Sequence, residues 1–539
     1  MPATGYTHDD ANQVLRSLNK PTAFSVKTLC AAIQNKCDID TIKDFIKSHG
    51  NNTRTKMTIS KDGWPALYYA AERNSSELLL YLFQQDIEPQ EHHKDFSMPL
   101  LAFIIIHGHR ESIDTTLAVK VLLAFGLDPN VIPKDMWIRY LETPLDIAAP
   151  STKPEHPSKW CSPDVRPLLA SSLHLTHRYY LNLACKLQGP TARGLQIAEA
   201  NKMSELVKLP FFLIGQQPAS RLVYKYLSSH VGLGGTDPLV LAFAGASGHG
   251  KTEMAKALGG LLSVQTTAID CSQINSVFGL FGSTWGYGDR DKGSTLNNHL
   301  ADNNGKRSVV FLDEFDKTDQ AVRHALLEVF QSGDYRDKRD NTLIDCSKTI
   351  WILATNSGHD TISRYYNNCI EKLSEEKRDK IDLRKLQAEL KQLYHNRFGA
   401  PLTGRVNNIV PFLPFTSSEC AVIIHKFILN FGSEIRQPID LQSKPPKHVG
   451  HCALHIVDDG KVCAAMTEQF YHKDLGGRSL SDAAKDIKQK VYDEYVAEED
   501  EVTEDTNSGP LQRFSIRLIS MGEGAQEVAV FPDFAQNDD

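Results

Sequence analysis

The chain has 539 residues, too many for a single hydrophobic core, so about two to four domains are expected. Hydrophobic residues make up 41% of the chain and charged residues 23%, which is typical of globular proteins and unlike disordered ones. The net charge of −7 gives no reason to expect a general nucleic-acid surface or an anionic-membrane surface.

The spacing of the cysteines and the N-terminal residues indicate the cellular compartment of the protein. The ten cysteines include no CxxC pair, which argues against a zinc knuckle and favours free thiols in a reducing compartment. The first twenty residues lack the apolar stretch of a secretory signal, and Asp9 and Asp10 are unlike a basic transit peptide. The longest strongly apolar run, residues 100–106, is too short for a membrane span. We therefore predict a cytoplasmic protein, with the nucleus as an alternative.

Residues 1–190 are predicted to form short helix pairs joined by turns. The clearest pair covers residues 62–90, where Asp62-Gly63 predicts a turn and two apolar helical faces follow. Pieces with a related pattern are residues 28–50, 98–130 and 143–150.

These pairs resemble ankyrin repeats, and the best matches are residues 126–130 (GLDPN) and Thr143-Pro144-Leu145. A generic array of helical hairpins is the alternative. Both readings predict an all-α domain that binds a protein partner or substrate and has no chemistry of its own.

A helical linker is predicted over residues 191–205, and from residue 206 strands alternate with helices, which predicts a parallel sheet flanked by helices. The apolar strand 239–244 runs into GASGHGKT, residues 245–252, and then into a helix. This is the G-x-x-x-x-G-K-T pattern in its required strand-to-helix context. The residues predicted to bind the phosphates of a nucleotide are Gly245, Ser247, Gly248, His249, Gly250 and Lys251. Thr252 is predicted to bind Mg²⁺.

Two further apolar strands end in polar residues. Residues 308–312 lead to Asp313 and Glu314, predicted to hold Mg²⁺ and to polarise the attacking water, respectively. Taken alone, the pair could be solvated acids at a strand end. Residues 349–355 lead to Asn356, whose side chain is predicted to orient the water between the acids and the γ-phosphate.

From residue 206 onward the chain resembles the Clp-type AAA+ ATPases, especially the second ATPase module of the bacterial disaggregase. The segment FFLIGQQPASRLV, residues 211–223, is similar to a family segment whose backbone surrounds adenine. By resemblance, Ile214 and Gly215 contact the base of ATP.

Residues 276–300 resemble the family's pore loop, in which an aromatic residue grips the substrate polypeptide. The matching residue is Tyr287, between Gly286 and Gly288. Trp285 and Asp289 depart from the family pattern, and an ordinary surface turn is the alternative.

The resemblance to the Clp-type ATPases also assigns roles to two arginines. Arg405 matches the arginine that reaches the γ-phosphate of the neighbouring subunit, although Gly404 replaces the family's asparagine. Arg478 matches the arginine of the small-domain helix that contacts the nucleotide.

The resemblance gives a large domain over residues 206–415 with a helical insertion at about 359–395, and an α+β small domain over 416–539 with an acidic loop at 494–509. Within the insertion, leucines recur at helical spacing amid dense charge, at positions Leu383, Leu386, Leu390 and Leu393. The pattern predicts a solvated helical hairpin, with a partner-docking helix as the alternative.

The sequence thus predicts an ATPase that uses ATP and Mg²⁺, assembles into a ring (a hexamer in the family) and pulls polypeptide through its pore. One alternative is an ankyrin-based binding protein that uses ATP as an assembly switch. A nucleic-acid-remodelling protein is disfavoured by the acidic balance and the Gly-Tyr-Gly loop.

Overall fold

The computed structural model describes residues 8–19, 24–50, 64–84, 98–147, 158–187, 189, 191–274, 276–283, 292–497, 503–521 and 525–533. The helices in chain order are α1 (His8–Asn19), α2 (Val26–Gln34), α3 (Ile39–Ser48), α4 (Ala66–Glu72), α5 (Ser76–Gln84), α6 (Leu100–Arg110), α7 (Thr116–Ala124), α8 (Arg166–Ser172), α9 (Leu175–Lys186), α10 (Ala192–Ala200), α11 (Gln217–Gly232), α12 (Lys251–Leu262), α13 (Val277–Phe281), α14 (Thr295–Asp302), α15 (Gln320–Ser332), α16 (His359–Cys369), α17 (Glu375–Asp379), α18 (Arg384–Phe398), α19 (Ala400–Thr403), α20 (Ser417–Ile435), α21 (Asp459–Phe470) and α22 (Gly477–Val496). The strands are β1 (Leu239–Ala244), β2 (Thr266–Asp270), β3 (Ser308–Asp313), β4 (Asp334–Arg336), β5 (Leu343–Asp345), β6 (Thr349–Thr355), β7 (Asn408–Pro411), β8 (Cys452–Ile456), β9 (Gln512–Met521) and β10 (Ala525–Pro532).

The chain forms two compact units. The first unit contains Met1–Gly189, Ile424–Met466 and Ala484–Asp539, and the second contains Pro190–Ile423 and Thr467–Ala483. Helices α20, α21 and α22 each have residues in both units. These two units do not coincide with the four segments expected from the sequence. The boundaries of those segments stay a prediction.

Helix pairs make up the N-terminal part of the first unit, as the sequence predicts. In the pairs α2/α3, α4/α5, α6/α7 and α8/α9, the first helices pack on one another in chain order. The second helices α5, α7 and α9 do the same. Side-chain caps fix where helices begin: Ser25 accepts a hydrogen bond from the Thr28 N–H, and Asp38 accepts one from the Thr41 N–H. The stack fits a helical repeat domain, and its assignment to the ankyrin family stays a prediction.

One expected repeat piece does not form a helix in its described part. Thr143 to Ile147 are irregular, and Leu145 and Ile147 are 65% and 76% exposed, so they do not supply the buried face that a repeat helix needs. Instead, Thr143 Oγ1 donates a hydrogen bond to Asp458 Oδ1 at 2.6 Å. The predicted turn at Asp62-Gly63 lies outside the described residues.

The C-terminal segments of the first unit form a three-stranded sheet of order β10-β9-β8. Strands β9 and β10 are antiparallel, and β8 runs parallel to β9.

The second unit is built on a five-stranded parallel sheet of order β2-β3-β6-β1-β7. Every residue of β1 is buried, because helices cover both faces of a parallel sheet. Leu241 and Phe243 pack with helices α11 and α12 on one face, and Val240 and Ala242 with α14, α15 and α18 on the other. The strands predicted from residues 239, 308 and 349 are all confirmed.

The leucines of the predicted insertion are mainly core residues. Leu383, Leu386 and Leu390 are at most 3% exposed and belong to the hydrophobic core of the sheet's second face, with Leu393 partly buried against it. The expectation of a solvated hairpin is therefore wrong for these side chains, and they offer no free face for docking a partner. The helical spacing of the leucines identified the apolar face of the helix. The fold determines which residues cover that face.

Among the residues that the structure describes, no helix combines the length and the apolar character needed to span a bilayer.

Candidate nucleotide site

The strand order brings three predicted groups of site residues together. Strand β6 lies between β3 and β1, so Asn356 after β6 lies between Glu314 after β3 and Lys251 after β1. In a parallel sheet, the carboxyl ends of the strands meet at one edge, which is where ligands bind in such folds.

Lys251 is the buried cation of this edge, with 7% of its surface exposed. Its ammonium donates hydrogen bonds to the carbonyl oxygens of Gly245 and Ala246, at 2.7 and 2.8 Å, and to Asn356 Oδ1 at 2.9 Å. Burial lowers the pKa of Lys251 to about 8, against the opposing effect of the nearby Glu314 carboxylate. The side chain is therefore still charged at neutral pH and available to a phosphate.

Asn356 links this cation to the acidic pair. Its Nδ2 donates to Glu314 Oε2 at 3.1 Å, while its Oδ1 accepts from Lys251. Glu314 has a left-handed backbone conformation with φ of 50°, which is rare for a residue with a side chain and typical of functional positions. The amide thus holds both neighbours at fixed positions.

Thr252 and Asp313 form the second contact of the site. Thr252 Oγ1 donates to Asp313 Oδ2 at 3.1 Å. Adjacent oxygen ligands of an octahedral Mg²⁺, each at about 2.1 Å, lie roughly 3 Å apart. The two hard oxygen donors therefore fit Mg²⁺ as neighbouring ligands.

The loop 245–250 adopts backbone conformations that need glycine. Gly245, Gly248 and Gly250 have φ of 154°, 77° and 90°. A Cβ on Gly248 would lie 2.1 Å from the carbonyl oxygen of Leu475. The Gly477 N–H donates to the Gly248 carbonyl at 2.8 Å, so the segment before and at the start of α22 lies directly on the loop.

His249 packs under the loop as a neutral ring. It is 1% exposed, and its ring stacks on Phe415 with centroids 5.1 Å apart. Its Nδ1 donates to the Ser247 carbonyl at 3.0 Å, and burial lowers the pKa of His249 to about 4. The ring of His249 therefore packs against protein. The phosphate contact that the sequence predicts for His249 would have to come from its backbone.

Ile214 and Gly215, predicted to contact the base, are both buried. Gly215 has φ of 74°, and a Cβ there would lie 2.8 Å from Phe415 Cδ1. The next residue, Gln216, fixes the segment, because its amide donates to the Leu413 carbonyl at 2.8 Å and accepts from the Leu413 N–H at 3.3 Å.

The two predicted arginines have different positions. Arg478, exposed in the first turn of α22, lies close enough to lower the pKa of Lys251 by charge repulsion, a smaller effect than burial. Arg405 instead donates to the Leu327 and Pro401 carbonyls, at 3.0 and 2.6 Å, and to the Gln331 side chain. Its hydrogen bonds thus lie outside the Lys251 cluster. Tyr287 lies outside the described residues.

Sequence reasoning missed Asp316. Its Oδ1 accepts from Thr355 Oγ1 at 2.9 Å and from the Asn356 N–H at 3.3 Å. It therefore positions the end of β6 that carries Asn356. The sequence DEFD, residues 313–316, shows the acid but not its partner strand.

The positive-φ loop before a helix, the buried lysine and the oxygen pair define a P-loop nucleotide-binding domain. Comparisons with known proteins place it more narrowly. Residues 238–409 match the family described as "AAA domain (Cdc48 subfamily)". This region is thus similar in sequence to an AAA domain and to Clp-type proteins.

Two relatives illustrate the similarity. The chaperone protein ClpB of Chlamydia pneumoniae is 29% identical over 308 residues, which cover 56% of this chain and 32% of that protein. The mitochondrial disaggregase of Homo sapiens is 30% identical over 220 residues, 36% of this chain and 31% of that protein. The matched region thus spans about a third of the length of these relatives.

A solved structure titled "Closed State CryoEM Reconstruction of Hsp104:ATPyS and FITC casein" is also similar. Its sequence identity is 16% and its TM-score is 0.45, with 95% of this chain and 88% of that chain covered.

Proposed function

We propose that this protein hydrolyses ATP with Mg²⁺ and uses the free energy to remodel polypeptides. The observation that carries the proposal is the hydrogen-bonded series Lys251–Asn356–Glu314 beside the Thr252–Asp313 pair. Such a site has a cation for phosphate, oxygen ligands for a metal and a carboxylate for water.

Each side chain has a separate task in this mechanism. Bound Mg²⁺·ATP supplies the phosphoanhydride bond and the Lewis acid. Lys251 would exchange its loop carbonyls for phosphate oxygens, and Thr252 and Asp313 would hold the metal. Glu314 accepts the proton of the attacking water, and Asn356 keeps that carboxylate in place.

A ring assembly is proposed from Arg405. Its guanidinium is held by backbone carbonyls of α15 and α19, which presets its direction and lowers the entropic cost of binding a phosphate. We propose that it contacts the nucleotide of a neighbouring subunit, whereas Arg478 acts on the nucleotide of its own subunit. A hexamer is the size expected by resemblance.

Polypeptide as the substrate is proposed from two sources. The names of the relatives describe a chaperone and a disaggregase, and Tyr287 matches the substrate-gripping position of the pore loop. An aromatic ring beside glycines gives a large apolar contact that many side chains can meet. The helix pairs of the first unit would then bind a substrate or partner. The cytoplasmic location stays a prediction.

The hydrolytic part is tested with Glu314→Gln, which keeps the size and the Asn356 contact but removes the base. We expect the variant to bind ATP and assemble while its turnover falls by about 10²- to 10⁴-fold. Glu389→Gln, an exposed glutamate on α18, is the control. Equal turnover by Glu314→Gln and wild type would overturn the assignment of Glu314.

The remodelling part is tested with Tyr287→Ala, with Tyr287→Phe as the control that keeps the ring. We expect Tyr287→Ala to hydrolyse ATP and to lose unfolding of a tagged model substrate, while Tyr287→Phe keeps both. Normal unfolding by Tyr287→Ala would remove the threading mechanism and favour ATP as an assembly switch.

A further inference from the structure

Three side chains of metal-ligating type converge in the first unit: Asp114, His174 and His177. Their ligand atoms all lie within 4.8 Å of one another. His174 caps α9 and His177 lies in its first turn, so the two rings share one side of the helix. Asp114 lies in the turn between α6 and α7.

Two ring nitrogens of this cluster are buried without a partner. Within the described part of the chain, neither His174 Nε2 nor His177 Nδ1 has a hydrogen-bond partner, and His177 is 2% exposed. Buried polar atoms of native proteins rarely lack a partner, and a bound ion can supply one. The other nitrogen of His177 lies 3.2 Å from Thr115 Oγ1, which can orient the ring as the outer partners of metal-bound histidines do.

The charges also favour a cation. Burial lowers the pKa of both histidines well below the ordinary value, so the rings are in the neutral form that binds metals. Within the described residues, the only ion-pair partner within 4 Å of Asp114 is His174, at 3.9 Å, and that ring is neutral. The nearby guanidinium of Arg178 is already paired with Asp459 at 2.6 Å. In the described part of the chain, the carboxylate of Asp114 thus has no charged counterion within 4 Å.

The same three residues line a cavity of about 780 Å³ inside the first unit. A metal ion held by three protein ligands at this wall would keep a position open for water or a small ligand. Two imidazoles and one carboxylate form a donor set typical of Zn²⁺. We propose that Asp114, His174 and His177 bind a divalent transition metal ion of the zinc class.

Binding would require small, defined rearrangements. Ligands of a tetrahedral zinc at about 2.1 Å lie roughly 3.4 Å apart, so the three groups must move closer. The two rings are stacked, with centroids 3.5 Å apart and planes 20° apart, and one must tilt to aim its nitrogen at a shared ion. His174 Nδ1 now accepts the His177 N–H at a long 3.3 Å. A metal ion on Nε2 of His174 would place the ring proton on Nδ1. Nδ1 could then no longer accept the hydrogen bond from the His177 N–H.

The test uses the full chain, stripped with a chelator and kept in excess Mg²⁺ so that the nucleotide site takes its own metal. Zn²⁺ is titrated by calorimetry, and Co²⁺ replaces it for visible absorption. Asp114→Asn keeps a side-chain oxygen that can accept from the Thr116 N–H, as Asp114 Oδ1 does at 2.9 Å. His177→Gln keeps a polar side chain. His455→Gln, in the same cavity wall, is the matched control.

We expect wild type and His455→Gln to bind one equivalent of Zn²⁺. Asp114→Asn and His177→Gln should bind it at least about tenfold more weakly. The Co²⁺ complex of wild type should show the intense visible bands of low coordination, and the two cluster variants should lose them. Thermal unfolding in chelator checks that each variant is folded. Identical Zn²⁺ binding by wild type and Asp114→Asn, or wild type without those Co²⁺ bands, would overturn the site.

Discussion

Asn356 donates a hydrogen bond to Glu314 at 3.1 Å, and the same amide accepts one from Lys251 at 2.9 Å. One side chain therefore connects the cation proposed to bind phosphate with the carboxylate proposed to activate water. Because β6 lies between β3 and β1, the position of Asn356 between them is fixed by the order of the strands.

Asn356→Ala removes this link and leaves Thr252 and Asp313, the proposed metal ligands, unchanged. We expect the turnover of ATP to fall by about 10²- to 10³-fold, because Glu314 loses its positioning donor. ATP affinity should change far less, since the loop carbonyls still hold Lys251 in place before ATP binds and its ammonium stays available to the phosphates. Steady-state ATPase assays and nucleotide titration measure the two effects. Asn367→Ala, at an exposed position on α16, should behave as wild type, and a loss confined to affinity would contradict the positioning role.

Lys251 predicts a pH dependence of nucleotide binding. Its pKa is lowered to about 8 in the free site, so the ammonium loses its proton as the pH rises through 8. Bound phosphate favours the charged form, so affinity should fall steadily between about pH 8 and the higher pKa of the complex. Fluorescent-nucleotide titration from pH 7.5 to pH 9.5 measures this change.

Lys251→Met supplies the control for that titration. Its binding should be weaker throughout and nearly independent of pH over the same interval. If wild type were as independent of pH as the variant, the lysine would not be the titrating group.

The candidate nucleotide site could be predicted from the sequence because its residues follow continuous apolar runs. A parallel strand buried on both faces reads as such a run, and the motif GASGHGKT fixes the first strand end. Asp313, Glu314 and Asn356 then follow from the rule that parallel strands end at one edge.

Other features depend on pairings that no local pattern contains. Arg178 and Asp459 are 281 positions apart in the chain, and neither has a neighbouring motif. Leu386 and Leu390 are fully buried, although the charges around them favoured a solvated helix. Asp316 looks like one more acid after the motif, and only the sheet order reveals that it holds the end of β6.

Gly215→Ala tests whether the segment before α11 shapes the site. The change adds backbone strain at φ of 74° and a Cβ 2.8 Å from Phe415, and overpacking of this kind costs about 1–3 kcal/mol. We expect a lower unfolding midpoint in urea and weaker ATP binding. The control is Gly234→Ala. Gly234 has φ of 91°, and no atom lies within 4 Å of an added Cβ, so this variant has the backbone strain without the steric clash. Equal ATP affinities of the two variants would argue against a role of the Phe415 contact.

Asp459 makes a buried ion pair in the first unit. Its Oδ1 accepts from Arg178 at 2.6 Å and its Oδ2 from the Leu175 N–H, also at 2.6 Å. Burial is the largest single effect and raises the pKa of Asp459. The charge of Arg178, together with the other lowering contacts that include the hydrogen bonds from Arg178 and the Leu175 N–H, outweighs it, and the pKa lies below its ordinary value. The resulting stability is present above the ordinary carboxyl pKa and is lost as the pH falls through the lowered one.

Asp459→Asn should destabilise the chain by about 3–5 kcal/mol, because it leaves the charge of Arg178 buried and unpaired. Asp458→Asn is the neighbouring control: its carboxylate is 43% exposed and pairs with Lys461, so the loss should be about 0–1 kcal/mol. Urea unfolding at pH 7 and again at about pH 3, below the ordinary carboxyl pKa, measures both. The difference between wild type and Asp459→Asn should shrink at the lower pH. An equal loss in the two variants at pH 7 would mean that the Arg178 pair contributes no more than a surface contact.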